Sequence, residues 1–312
     1  MNPRAEANAR LDGRYDARVL EPSPPAVNDP PWFADDPVGR ELERGERSRV
    51  SPVAGGELRW DDLITRDPGL GEWCAERWLG AYRRLGPPPD GLVATRLALH
   101  RLAEQVMAPA RKTANGKIGL RFTQGGFGTP FFGDDVQLRV AGAELIVQSG
   151  AHERAAPITT LAEMAEHVGR ELLPEAPEDG APLAIDRDSS VFLGEWFGFA
   201  ASVLEELRAG ADDALEPSRV QIWPEHFDAA IEIGLERRGQ RAGYGASPGD
   251  ELHPEPYLYV APWGEVPPGS LWQASGFRGA ELPYRELSAA EDQRGLALRF
   301  LTERLESLTG PA

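Results

Sequence analysis

Twice along this chain, apolar residues spaced three and four apart give way to alternation at every second position, and then helical spacing returns. Residues 90–172 read helix, several strands, helix, and residues 187–308 repeat that order. Helices packed around meandering, mostly antiparallel strands are an α+β arrangement, and they argue against a doubly wound α/β sheet. The two halves share no obvious identity, so the likeness is one of helix–strands–helix order.

The clearest strand lies between His226 and Glu236. Phe227, Ala229, Ile231, Ile233 and Leu235 alternate there with His226, Asp228, Glu232 and Glu236. Period two predicts a strand with one buried face. Tyr257, Tyr259 and Ala261 alternate with Leu258, Val260 and Pro262 in a second strand. About twenty residues rich in Gly and Pro separate the two and read as a loop, a length that in a compact domain signals function or disorder. Ser247-Pro248-Gly249-Asp250 within it is turn chemistry.

Residues 1–56 form an extended Pro-rich arm, with Trp32 and Phe33 as its anchor. The first α+β half is 57–172. It opens with a helix from Asp67-Pro68, whose apolar stripe includes Cys74 as a buried structural thiol. A helix from Leu92 to Met107 is predicted to stop at Pro109, with His100 on its solvated side. Short strands follow at Lys117–Phe122, Val136–Val140 and Glu144–Val147, the last two forming a hairpin. His152 falls in a polar turn. Thr160 and Glu163 form a capping box for a helix to about Leu172, with His167 on its surface. An acidic, Pro-rich linker spans 173–186. The second half, 187–312, packs as one unit with the first. Asp188 caps its first helix, and the Val191–Leu204 portion is apolar nearly all round, hence deeply packed. A short strand is predicted near Leu271–Ala274, and a capping box at Ser288–Glu291 opens the last helix.

The net charge of −17 opposes nucleic acid and anionic membrane surfaces as partners. A single cysteine permits no intramolecular disulfide. The N-terminus has no apolar h-region, and no window approaches the ~18 apolar residues of a membrane span. The expected location is cytoplasmic. Lysine occurs only at 112 and 117 beside abundant Arg, Ala, Gly and Pro, a bias of GC-rich bacterial genomes.

Two stretches carry candidate chemistry. The first is Gln124-Gly-Gly-Phe-Gly-Thr-Pro-Phe-Phe-Gly133, behind the basic residues Arg111, Lys112, Lys117 and Arg121. Backbone N–H groups in such a row can cradle an anion. The dinucleotide and P-loop spacings both fail, because position 131 is not Gly and Ile118 follows Lys117. The second is His226-Phe-Asp228, which with His253 forms a two-His, one-carboxylate set for a divalent metal. No G-x-S-x-G or C-x-x-C is present.

Three functions compete. A small-molecule binding protein would use Trp223, Tyr244, Ser247, Asp250 and Tyr257, joined by Lys117, Arg121, Gly125, Gly126 and Gly128. A metal-dependent or carboxylate-based enzyme of hydrolase type would use Glu225 or Asp228 as base and His226 with His253 as ligands or acid. A scaffold would dock a partner through the arm. Of the five histidines, only His226 and His253 are expected near the functional surface.

The phrases TANGKIGLRFTQGGFGTPFFG, VQIWPEHFD and YGASPGDELHPEPYLYVAPW resemble a family of uncharacterised proteins from high-GC bacteria, over most of residues 57–275. WPEHFDAA also resembles a W-x-x-F-D-L-A phrase of a broader bacterial family. Neither resemblance implies an activity. Both mark the Gly-rich loop, WPEHFD and Tyr244–Trp263.

Overall fold

The computed structural model describes residues 84–123, 126–130, 132, 136–149, 152–170 and 180–310. The arm with Trp32 and Phe33, the helix bearing Cys74, Gly125 and the first half of the 173–186 linker lie outside these residues. Among them, no helix is long and apolar enough to cross a membrane.

Helix α1 (Leu92–Leu102) runs through a π-helical stretch, Ala103–Met107, into α2 (Ala108–Asn115). Pro109 therefore does not stop the helix. The wider π turn ends with the Ala108 N–H bonded to the Ala103 carbonyl, and Pro109 falls in the next first turn, where a missing N–H is tolerated. The helix ends seven residues later at Gly116, which caps it at φ 75°.

Strands β1 (Arg121–Thr123), β2 (Gly126–Gly128), β3 (Val136–Ala141), β4 (Glu144–Ser149) and β5 (His152–Pro157) pair in sequence order as an antiparallel meander. His152 opens β5, so the turn predicted there is a fifth strand. Helix α3 (Leu161–His167) follows, and the Thr160 hydroxyl accepts the Glu163 N–H, as the capping box requires. It is shorter than its pattern, because Gly169 breaks it at φ 74°.

Helix α4 (Arg187–Gly210) is capped by Asp186 rather than Asp188: the Asp186 carboxylate accepts both the N–H and the hydroxyl of Ser189. A second meander then consists of β6 (Gln221–Trp223), β7 (Asp228–Ile233), β8 (Ala242–Ser247), β9 (Tyr257–Pro262) and β10 (Ala280–Pro283), again in sequence order. The strand expected near Leu271–Ala274 is absent there, and β10 takes its place. Helix α5 (Tyr284–Ala289) absorbs Ser288, and α6 (Gln293–Thr309) is capped by Asp292, whose carboxylate accepts the Gly295 N–H.

The two meanders meet through their first strands. Leu120 and Ile222 exchange two backbone hydrogen bonds of 2.8 Å, antiparallel. Helix α4 packs on strands of both meanders and is itself covered by α1 and α6. That sandwiching is why its sequence is apolar nearly all round: Leu193, Trp196, Phe197, Ala200, Val203 and Leu204 are completely buried. One hydrophobic cluster joins α1, both meanders, α4 and α6. The fold is α+β, built from two antiparallel five-stranded sheets with helices.

Candidate functional site

The two faces of the second sheet differ in chemistry. Ile222, Ala229, Ala246, Leu258 and Leu282 share one row of register, and all are buried on the α4 side. On the other face, Trp223 lies opposite Asp228, and Ala230, Gly245, Tyr259 and Glu281 form the next row. Ser247 and Tyr257 pair with each other level with Asp228, in the row of Trp223. The odd residues of β7 are buried as their period predicts, but Asp228 and Ala230 are buried too.

The predicted twenty-residue loop contains β8. Its residues Ala242-Gly-Tyr-Gly-Ala-Ser247 form the central strand of the sheet. Gly and Ala are depleted in strands, so the strand signal is weak. The consequence is directional. With β8 between them, β7 and β9 run the same way. The turn 224–227 before β7 and the loop 248–256 before β9 therefore emerge at one end of the sheet. A direct pairing of those strands would have placed the two about 33 Å apart along the strand.

Gly245 explains the local geometry. A Cβ there would run into the ring and hydroxyl of Tyr259. Without it, the ring lies across β8, and its hydroxyl donates to Oδ2 of Asp228 two strands away. Oδ1 of Asp228 is buried with no hydrogen-bond partner. Burial pushes the Asp228 carboxyl up from its ordinary value. The Tyr259 bond, the imidazole of His226, the Asp228 backbone N–H and the imidazole of His100 pull the other way and do not overcome it. Burial, with the charge of Asp228 and the bond given to it, likewise raises the Tyr259 hydroxyl, which keeps it a donor.

The turn that delivers Asp228 is strained and pinned. Phe227 has φ 55°, the left-handed region that a bulky residue avoids. The Trp223 carbonyl accepts the N–H of Phe227 at 2.7 Å and of His226 at 3.3 Å. The Phe227 ring is 1% exposed and packs edge-on against Phe127 and Phe197, at 5.0 Å and 5.2 Å between centroids. Burying it contributes roughly 1.5–3 kcal/mol, enough to offset the ~1–3 kcal/mol of backbone strain. Glu225 and His226 stay exposed at the tip. His100, predicted to face solvent, instead stacks on Phe227 at 5.4 Å, and its Nε2 lies 2.8 Å from the Pro224 carbonyl. The helical stripe missed it because its partner is a turn more than 120 residues away.

The loop 248–256 is held by a buried arginine that sequence reading passed over. Arg96, 5% exposed on α1, donates to the carbonyls of Pro248, Asp250, His253 and Pro254, at 3.0–3.5 Å. Gly249 has φ 108°, and a Cβ there would collide with Arg96 and the His253 carbonyl. Asp250 organises the loop from within. Its Oδ1 accepts the N–H groups of Leu252 and His253, and its Oδ2 accepts the Tyr257 hydroxyl at 2.6 Å. Partial burial pushes the Asp250 carboxyl up, but the Tyr257 and His253 bonds outweigh it and hold it below its ordinary value. The His253 ring sits between two carboxylates, with Nδ1 3.0 Å from Asp250 and Nε2 3.3 Å from Glu281.

His226, Asp228 and His253 thus lie at one end of the sheet, but Asp228 is held by Tyr259, His253 lies between Asp250 and Glu281, and His226 is exposed. Among the described residues, no group of three His, Cys, Asp or Glu side chains is placed to hold a metal ion. Tyr244 is completely buried and raised by that burial, and its register row is that of Ile231 and Val260, on the α4 face rather than the site face. Gly126 and Gly128 sit in β2, where a Cβ would strike the carbonyl oxygens of Val140 and Leu138. Close approach of β3 accounts for both glycines. Arg121 is buried and Lys117 half-buried in the segment entering β1. Phe127 is where the Gly-rich stretch and WPEHFD meet, and they meet in the core. Tyr259, Glu281, Phe277 and Arg96 complete the site face and its support. The period-two reading of 257–262 carried a signal only for Tyr259.

No protein-family model, curated protein or solved structure matches this chain.

Proposed function

We propose that this protein binds a small molecule on the outer face of its second sheet, with Asp228 as the polar anchor and Trp223, Tyr257, Tyr259 and Phe277 as the apolar surround. The observation that carries this reading is the half-satisfied carboxyl of Asp228: Oδ2 is held by Tyr259, while Oδ1 is buried and has no partner. A buried acceptor without a partner costs ~1–3 kcal/mol, more if charged, and a strained turn together with a glycine-cleared tyrosine maintains it here. A ligand donor would recover that cost. Ser247 is buried beside Tyr257, and the turn tip carries Glu225 and His226 at the entrance. Screening a library of small polar organics by thermal shift, on wild type, Asp228→Asn and Tyr259→Phe, tests the reading. Ligands that stabilise wild type should lose at least tenfold in affinity in Asp228→Asn. Hits indifferent to both substitutions would place binding elsewhere.

A second reading is supported by the raised Asp228 carboxyl. A carboxyl that keeps its proton closer to neutral pH is suited to general acid–base work, here with the hydrolase-like role expected for Asp228, Glu225 and His226. Hydrolysis of generic ester or glycoside substrates, abolished in Asp228→Asn, would favour it. Metal assistance is not part of either reading.

A further inference from the structure

We infer that the ligand of this face is an organic cation, a primary or secondary ammonium on an aromatic or apolar body, bonded to Oδ1 of Asp228 and seated against the rings of Trp223, Tyr259 and Phe277. This rests on the small-molecule reading above and narrows its ligand class.

Three observations point the same way. First, Asp228 is 6% exposed, and no described arginine or lysine pairs with it; the one side chain hydrogen-bonded to it is the neutral hydroxyl of Tyr259. A buried carboxylate without a countercharge is unfavourable, and a cation from outside relieves it in a way that a neutral donor does not. Second, the surround is aromatic. Trp223 is opposite Asp228 in register, and Tyr259 packs edge-on against Phe277 at 6.1 Å and beside Tyr257 at 6.2 Å. Ring faces attract cations, and aromatic walls with a carboxylate are a general solution for ammonium recognition. Third, carboxylates outnumber the basic groups on this face, and Arg241 is paired with Glu232 at 2.7 Å. Glu281 shares the row of Tyr259, Asp250 accepts from Tyr257, and Glu225 is exposed at the turn tip. Arg96 is engaged by the loop carbonyls, and the other basic groups at this end are imidazoles. His226 is exposed, His253 is engaged by two carboxylates, and His100 is turned to the Pro224 carbonyl. An anionic ligand would meet repulsion from most sides, and a neutral one would leave Asp228 without a countercharge.

The experiment uses matched pairs on the full chain at pH 8: phenethylamine against 2-phenylethanol, and tryptamine against tryptophol, followed by calorimetry or ligand-observed NMR. The expected result is at least a tenfold preference for the amine in one or both pairs. Asp228→Asn, which keeps the shape and removes the charge, should erase it, while Tyr259→Phe should weaken it less. Equal binding of amine and alcohol that still depends on Asp228 would overturn the cation assignment and leave the small-molecule site standing. Absence of wild-type binding at millimolar concentration, or binding unaffected by Asp228→Asn, would overturn both. A melting temperature no lower than that of wild type in Asp228→Asn or Tyr259→Phe excludes misfolding as the cause of any loss.

Discussion

The two sheets have the same order, the same antiparallel pairing and one shared helix, yet they use glycine for opposite purposes. In the first sheet, Gly126 and Gly128 let the backbone of β3 come close to β2. In the second, Gly245 leaves room for a side chain, and the Tyr259 ring fills it to reach Asp228. The first use closes a sheet. The second builds a polar group into a place that packing alone would exclude. Away from α4, Arg139 and Glu153 form an ordinary ion pair at 3.1 Å on the first sheet, whereas the second has a buried carboxyl with one oxygen unpartnered. Topology alone therefore does not distinguish the two sheets; the occupant of each glycine's space does.

Substituting the glycines is the most direct way to break the comparison. Gly126→Ala sets a methyl group against the Val140 backbone, which cannot move without opening β2 from β3. The expected cost is about 3 kcal/mol or more by denaturant unfolding. A loss under 1 kcal/mol would mean that the strands separate easily and that the contrast is false. Arg96→Met comes next. It removes the donors for four loop carbonyls, at about 2–3 kcal/mol, and amide exchange should rise across 248–256 while the first sheet stays protected.

Gly245→Ala is smaller, about 1 kcal/mol, because the obstructing atoms belong to a side chain that can swing away. Its mark should be functional: Tyr259 leaves Asp228, and ligand affinity falls more than stability does. Equal losses for Gly245→Ala and Gly126→Ala would erase the distinction between the sheets.

The smallest expected effect concerns pH. The folded-state value of Asp228 lies above its unfolded value, so folding binds a proton more readily and stability falls as pH rises from the unfolded value toward the folded one. Asp228→Asn should remove that decline, leaving a protein at least as stable as wild type at pH 7 and showing no such gain at pH 3. Asp250 has the opposite sign. Its value is depressed, so its contribution is present above the unfolded carboxylate value and is lost as pH falls through the folded one. Unfolding curves of Asp250→Asn and Asp228→Asn across pH 3–7 should diverge, and parallel curves would refute the assignment.

The sequence made the class of fold and the buried face of β7 legible, because period two survives wherever one side packs on a helix. The hairpin of Val136–Val140 and Glu144–Val147 was legible for the same reason, with Gly142 at φ 59° in its turn. β8 was not, since Ala242-Gly-Tyr-Gly-Ala-Ser offers only weak strand propensity and owes its conformation to neighbours on both sides. Missing β8 reversed the inferred direction of β9, and so hid that residues 226–228 and 248–256 share an end. His226, Asp228 and His253 were singled out for a metal on residue type. Residue type says nothing of Tyr259 and Glu281, which engage two of the three. Arg96 and His100 sat inside a helical pattern where polar residues are expected to face water, and only tertiary contacts turn them inward.

The bridge between Leu120 and Ile222 bears on how the chain reaches this structure. Among the described residues, every strand pairing within either sheet joins neighbours in sequence, so each meander can assemble from local contacts at modest entropic cost. The bridge, by contrast, closes a loop on the order of 100 residues and forms only when both meanders already have an edge to offer. We expect it to consolidate after the rate-limiting barrier. Ile222→Val should then speed unfolding and leave refolding nearly unchanged, and a slowed refolding limb would show instead that the seam is where folding begins.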